Sequence, residues 1–214
     1  MRTEILGEGE PEYAVVACIH GEESCGWEAI QRFKKSTHEL REPLKVILAN
    51  EKAYETGKRY IDVDMNRVFP GDPESDMYEE RIAHRLENEL EGLKALDIHS
   101  TASREAPFGI IVGDNNEEIE LAKSAGIQQL VDMSYVGGMS PEISSVTVEL
   151  SRTSENPAED AYQLLLNFLA AEGLIDLEFE RSDPEFFEVY SKEEGAGYEF
   201  LAKNFRKVEQ GEVY

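Results

Sequence analysis

Cysteine is scarce in this 214-residue chain. Cys18 and Cys25 are the two present, too few for a disulfide framework and spaced more widely than a structural zinc pair. They read as small reduced fillers. Bases are scarce as well: 21 lysines and arginines stand against 45 acids, a formal charge of −24. Such a chain repels phosphate backbones and anionic headgroups, which argues against nucleic acid or a membrane surface as partner. Long apolar runs are missing too. Tyr13–Ile19 and Leu164–Ala171 fall far short of the roughly 20 residues that span a bilayer. Met1–Pro11 is polar and acid-rich, without the basic-then-apolar order of a signal peptide, so the expected location is cytoplasmic. Histidine is scarce too, with four in all.

What is present suffices for a core. Hydrophobic residues make up 41% of the chain, and the acids, 35 Glu and 10 Asp, are spread along it as on a solvated surface. Tyr13-Ala-Val-Val-Ala-Cys-Ile19 and Lys45-Val-Ile-Leu-Ala49 are continuous apolar runs of strand length, as in strands buried on both faces. Lys94–Ile98, Gly109–Val112, Leu130–Val136 and Ser145–Leu150 resemble them. Helices are expected after Ser24, read as an N-cap, and over 117–125, ended by Gly126. Two more follow from the stripes Tyr78, Ile82, Leu86, Leu90, Leu93 and Ala161, Leu164, Leu165, Phe168, Leu169. Strands alternating with helices predict an α/β sheet covered on both faces. Asn50 to Asp76 reads as one long loop, a length that is usually functional in a compact domain. The sequence is divided into a main α/β domain over 1–173 and a reduced β-rich appendage over 174–214, with short strands at Glu178–Tyr190 and Tyr198–Val213.

In open α/β sheets, sites lie at the carboxyl ends of strands. His20-Gly-Glu-Glu23 follows the first apolar run, and Asp97-Ile-His99 ends another. His20, Glu23 and His99 would form a two-histidine, one-carboxylate set with a position left for water, the pattern of catalytic zinc. Taken singly, each is better read as a hydrogen-bonding residue. That reading suffices for His38 in a polar loop and His84 on a helix's polar side. Within the long loop, residues 51–67 hold four acids and four bases. Local neutrality in so acidic a chain suggests cations reserved for something anionic; incidental ion pairs would give the same count.

Four motifs in order, His20-Gly-Glu-Glu23, Arg59-Tyr-Ile-Asp-Val-Asp-Met-Asn-Arg-Val-Phe-Pro-Gly71, Asp97-Ile-His-Ser-Thr101 and Val146-Thr-Val-Glu-Leu150, resemble the succinylglutamate desuccinylase/aspartoacylase family, which is related to zinc carboxypeptidases. The resemblance covers about residues 10–170 and implies a three-layer α/β/α fold with a mixed central sheet. It further implies a zinc-dependent hydrolase of linear amides, deacylating a small N-acyl amino acid, with one Zn2+ per chain. His20, Glu23 and His99 then correspond to the metal ligands, and Glu149 to the general base. Arg59 corresponds to the group that stabilises the oxyanion, and Asn66 with Arg67 to the clamp on a substrate carboxylate. A carboxypeptidase-like peptidase and a non-catalytic binder of anions are the alternatives. Asp97 could orient a ligand and Asp64 brace the loop. The chain departs from the family pattern in Ser151, where relatives commonly carry glycine, and in a C-terminal part shorter than theirs. No base occurs in Val136–Ser145, where members that cleave acyl-aspartates carry an arginine, and Tyr135 offers one hydrogen bond there. A dicarboxylate substrate is therefore not expected.

Overall fold

A computed structural model describes residues 1–102, 107–112, 116–134, 143–189 and 205. In chain order its strands are β1 (Arg2–Leu6), β2 (Tyr13–Ala17), β3 (Leu44–Leu48), β4 (Lys94–Thr101), β5 (Phe108–Ile111), β6 (Gln129–Asp132), β7 (Ser144–Ser151) and β8 (Glu185–Glu188). The helices are α1 (Cys25–Phe33), α2 (Glu51–Thr56), α3 (Tyr78–Leu90), α4 (Asn116–Ser124) and α5 (Pro157–Ala171). The strands form one mixed sheet in the order β1-β3-β2-β4-β7-β5-β6-β8. β1 runs antiparallel to β3 and β5 antiparallel to β7; every other pairing is parallel.

Strand alternation sends side chains to two cores. Val15 and Ala17 of β2, with Leu96 and Ile98 of β4 and Val146 and Val148 of β7, pack on the side of α1, α4 and α5. Ala14 and Val16 face the other side, where α3 lays down Ile82, Ala83, Leu86 and Leu90. The expected three layers are thus present. Asp97, His99, Thr147 and Glu149 alternate with the first set and so face the α3 side. Close approach of α1 to β4 depends on Gly26, where an added Cβ would lie 2.8 Å from that of Ile98. α5 starts as its sequence suggests, with Asn156 accepting from the Glu159 N–H and Pro157 in the first turn.

Several elements differ from the sequence reading. The long loop begins with α2, capped by the Asn50 side chain and ended by Gly57 in the left-handed region, and later holds a 3-10 turn at Met65–Arg67. β1 was not expected; its half-exposed, polar-alternating residues pair at the sheet edge and carry no buried-strand signal. Ser24 does precede α1, but its hydroxyl donates to Glu28 instead of capping the backbone. Glu178–Tyr190 contributes β8, which extends the main sheet by pairing with β6. The strand expected over Tyr198–Val213 lies outside the described residues, Phe205 excepted. Both cysteines are buried free thiols, and burial pushes Cys25 up to about 11.

Candidate functional site

β2, β4 and β7 are adjacent at the centre of the sheet, and the site forms at their carboxyl ends. Leaving β2, the chain turns at Cys18, whose φ of 59° is left-handed, a conformation that costs a residue other than glycine roughly 1–2 kcal/mol. Neighbouring structure holds this turn: the Asn50 N–H donates to the Cys18 carbonyl at 2.9 Å. Three residues later the loop presses against α2. A Cβ on Gly21 would lie 2.2 Å from the backbone of Ala53 and Tyr54, so only glycine fits there. The Gly21 N–H donates to the Arg59 carbonyl at 3.0 Å, joining the two loops that build the site.

This turn brings His20 and Glu23 beside His99 of β4. Their ligand atoms all lie within 4.8 Å of one another, and the three side chains are 2–3% exposed. Nδ1 of His20 is 2.9 Å from Glu23 Oε1, and Nδ1 of His99 is 3.1 Å from Glu23 Oε2. Each imidazole turns its Nε2 to a second acid: His20 to Asp64 at 3.2 Å, His99 to Asp97 at 2.9 Å. Such outer carboxylates fix ring orientation and raise ligand basicity. Burial works against charge on His99, yet Asp97 and Glu23 hold it well above the usual histidine range. Glu23 responds in the opposite direction: burial would raise it, but hydrogen bonds from His20 and His99 keep it well below the carboxylate range.

Glu149 is the register partner of His99 on the parallel neighbour β7. It is half-buried, and its Oε2 is buried without a hydrogen-bond partner among the described residues. Burial first, then the charges of Glu23 and Asp97, raise its carboxyl above the ordinary value against the pull of His99.

Arg59 donates to Glu23 Oε1 at 3.1 Å and to Asp64 Oδ2 at 3.3 Å. Asn66 and Arg67 sit on the 3-10 turn, which Asp64 caps by accepting from the Asn66 N–H at 3.0 Å. Among the described residues no hydrogen bond links their side chains to the ligand cluster. Arg67 is exposed, donates to the Asn66 carbonyl, and has no acidic partner among those residues. Tyr135 and the base-free stretch over 136–142 lie outside the described residues.

Two participants went unnoticed in the sequence. Arg152, immediately after β7, donates to Glu23 Oε1 at 2.7 Å; its signal was its place at a strand end, the rule that found His20 and His99. Glu79 is fully buried at the start of α3 and accepts from the backbone N–H groups of Ile61, Asp62 and Val63 and from Asn50 Nδ2.

Residues 10–164 match the family model of the succinylglutamate desuccinylase/aspartoacylase catalytic domain. The chain belongs to this family. A probable aspartoacylase of Prochlorococcus marinus (strain MIT 9301) is 31% identical over 121 residues, which are 50% of this chain and 40% of that protein. The N-acyl-aromatic-L-amino acid amidohydrolase (carboxylate-forming) B of Danio rerio is 33% identical over 108 residues, 42% of this chain and 34% of that one. This desuccinylase/aspartoacylase family chain therefore spans about two fifths or less of the length of these curated relatives. The crystal structure of a succinylglutamate desuccinylase/aspartoacylase from Rhodobacter sphaeroides superposes with a TM-score of 0.72 at 19% identity, covering 88% of this chain and 66% of that one. It shares the fold. Among the described residues no helix is long and apolar enough to cross a membrane.

Proposed function

We propose that the protein is a zinc-dependent hydrolase of linear amides that deacylates a small N-acyl amino acid. The observation that carries this reading is the convergence of His20, Glu23 and His99 on one buried point, with Glu149 in register beside His99. The donor set fits a divalent ion. Two imidazoles and a carboxylate are the mixed nitrogen and oxygen ligands of open zinc sites. The carboxylates of Asp97 and Glu149 each leave one oxygen buried and without a hydrogen-bond partner among the described residues at the same end of the sheet, a surplus of negative charge that a cation would offset. Zinc held by the three ligands supplies Lewis acidity toward the carbonyl and makes water a stronger acid.

The remaining steps belong to the chain's own groups. Glu149 accepts the proton from the attacking water as the carbon–oxygen bond forms, and returns it to the amine nitrogen as the carbon–nitrogen bond breaks. Its raised carboxyl suits both halves of that transfer. The Arg59 guanidinium, 40% exposed, donates to the oxyanion that develops on the carbonyl oxygen. Asn66 and Arg67 hold the substrate carboxylate. The Arg67 guanidinium, without an acidic partner among the described residues of a chain carrying more than two acids per base, is suited to an external anion. The names of the Prochlorococcus and zebrafish relatives favour an N-acyl amino acid over a peptide.

The test is metal content together with turnover. Protein purified without added metal should carry about one zinc per chain, and His99→Ala almost none. Glu149→Ala should keep its zinc and lose about 10²-fold or more in kcat on an N-acyl amino acid. A folded wild-type chain without zinc, or a Glu149→Ala variant near the wild-type rate, would overturn the assignment. Faster cleavage of short peptides than of acyl amino acids would replace the deacylase by a peptidase.

A further inference from the structure

On the other side of the sheet from His99 and Glu149 lies a cavity of about 550 Å³, walled by three helices. Trp27 and Arg32 line it from α1, Tyr54 from α2 and Tyr162 from α5, with Lys35 just past the end of α1. Trp27 and Tyr162 belong to the core on the α1 side, and Tyr54 packs against that core. Asp97, His99 and Glu149 face α3 instead. The volume is that of a small-molecule site, and none of these walls has a task in the reaction just described.

What the walls leave unused is a set of ring faces and hydrogen-bond donors. Trp27 is 5% exposed. A buried indole N–H ordinarily finds an acceptor, yet that of Trp27 has none among the described residues. Arg32 is held in place, its guanidinium 3.9 Å over the Tyr162 ring and paired with Glu159. Glu28, which also lines the cavity, already accepts from the Ser24 hydroxyl at 2.6 Å. Lys35 has no acidic partner among the described residues, although the chain carries 45 acids against 21 bases. An ammonium and an indole N–H are therefore left over beside three aromatic rings. Rings offer stacking faces, and donors require an acceptor. Their complement is a flat ring that carries a negative charge.

We infer that this cavity is a binding site for a planar aromatic carboxylate, separate from the metal ligands. The ring lies among Trp27, Tyr54 and Tyr162; the carboxylate pairs with Lys35, and the Trp27 N–H is a further donor to it. Such a site goes beyond the deacylase reading and does not depend on it.

Trp27 is the chain's single tryptophan, so tryptophan fluorescence reports on this cavity. The full chain is titrated with phenylacetate as probe, with phenylacetamide as its uncharged analogue and acetate as the anion without a ring. Phenylacetate should change the emission saturably. Each of the other two should bind at least about tenfold more weakly, the scale of one charge-assisted hydrogen bond or one aromatic contact. Lys35 is exposed, so its variants keep the fold. Lys35→Gln should lose about tenfold toward phenylacetate and stay within about twofold toward phenylacetamide, while Lys35→Arg restores most of the affinity. His99→Ala, expected to hold no metal, should bind phenylacetate as wild type does. The absence of a saturable change overturns the inference, as does equal binding of phenylacetamide or an unaltered affinity in Lys35→Gln. Loss of binding in His99→Ala would place the probe at the metal ligands and overturn it as well. Emission that shifts with protein concentration alone would mean that a second copy of the chain covers the cavity, which equally excludes the small ligand.

Discussion

Asp97, Glu149 and Glu118 each bury one carboxyl oxygen that finds no hydrogen-bond partner among the described residues, and the same cost has different explanations in the three. Asp97 and Glu149 flank the ligand cluster, where a cation would offset it. Glu118 sits on α4, 2% exposed, with no such prospect. Its remedy is a proton. Burial pushes its carboxyl up to about 7 from an ordinary 4.5, against backbone hydrogen bonds from Ser145 and Val112 and with help from the nearby Asp132 and Glu117 charges. An acid whose folded pKa lies above its unfolded value contributes its stability in full below the unfolded value and loses it as pH rises through the folded one. Ionising Glu118 should therefore destabilise the protein progressively from about pH 4.5 to about pH 7, by about 3 kcal/mol in all. Denaturant unfolding at pH 5 and pH 8 checks this. Glu118→Gln should flatten the loss and be the more stable protein at pH 8; an unchanged slope would show that the carboxyl is solvated and ionised in the fold.

At the scale of elements, the site depends on how α3 anchors the loop that carries Arg59 and Asp64. Glu79 accepts from the N–H groups of Ile61, Asp62 and Val63 at 2.7, 2.9 and 3.2 Å, while Asp62 Oδ2 accepts in return from the Tyr78 N–H at 2.7 Å. Loop and helix N-terminus thus satisfy each other's donors. Glu79→Ala leaves those loop donors buried or frayed and should cost about 3 kcal/mol or more, with amide exchange at residues 61–63 accelerated. Glu80→Ala, one position on and half-buried, should cost little. Equal costs, or unchanged exchange, would mean that the loop is held elsewhere. This pair also shows where the sequence became illegible. Glu79 and Glu80 are adjacent acids in a glutamate-rich chain, and only the helix's rotation on the sheet decides which is buried. His20, Glu23 and His99 were within reach because apolar runs mark the central strands and polar residues at their ends stand out. Glu149 was reached only through the resemblance of its motif to the family. β1 and α2 were not: the first is a short edge strand paired on one side, and the second is six residues whose helicity comes from the Asn50 cap and from packing over Gly21. Arg152 was obscured because its role depends on the parallel register of β4 and β7, which no periodicity reveals.

For the molecule as a whole the dominant long-range force is its own charge. A net −24 spread over the surface makes folding work against self-repulsion, since compaction brings the acids closer than they stand in the unfolded chain. Local exceptions occur at the carboxyl ends of the central strands, where Arg59 and Arg152 both reach Glu23. An anion approaching from solution meets repulsion at long range and attraction only on arrival. Salt separates the two effects, because screening lengths of about 10 Å at 0.1 M and 3 Å at 1 M remove distant repulsion while leaving close contacts largely intact. Stability should accordingly rise between 0.05 and 1 M NaCl, with a Tm gain of several degrees, the size expected for roughly 1–2 kcal/mol in a domain of this length. Sodium chloride is the salt to use, because sulfate would add stabilisation by exclusion from any protein surface. Surface ion pairs such as Arg2–Glu51 and Arg41–Asp176 act in the opposite direction, since salt weakens them, but each is exposed and contributes little. A Tm that stayed level or fell across that range would show that local ion pairing, and not net repulsion, governs the electrostatics of this fold.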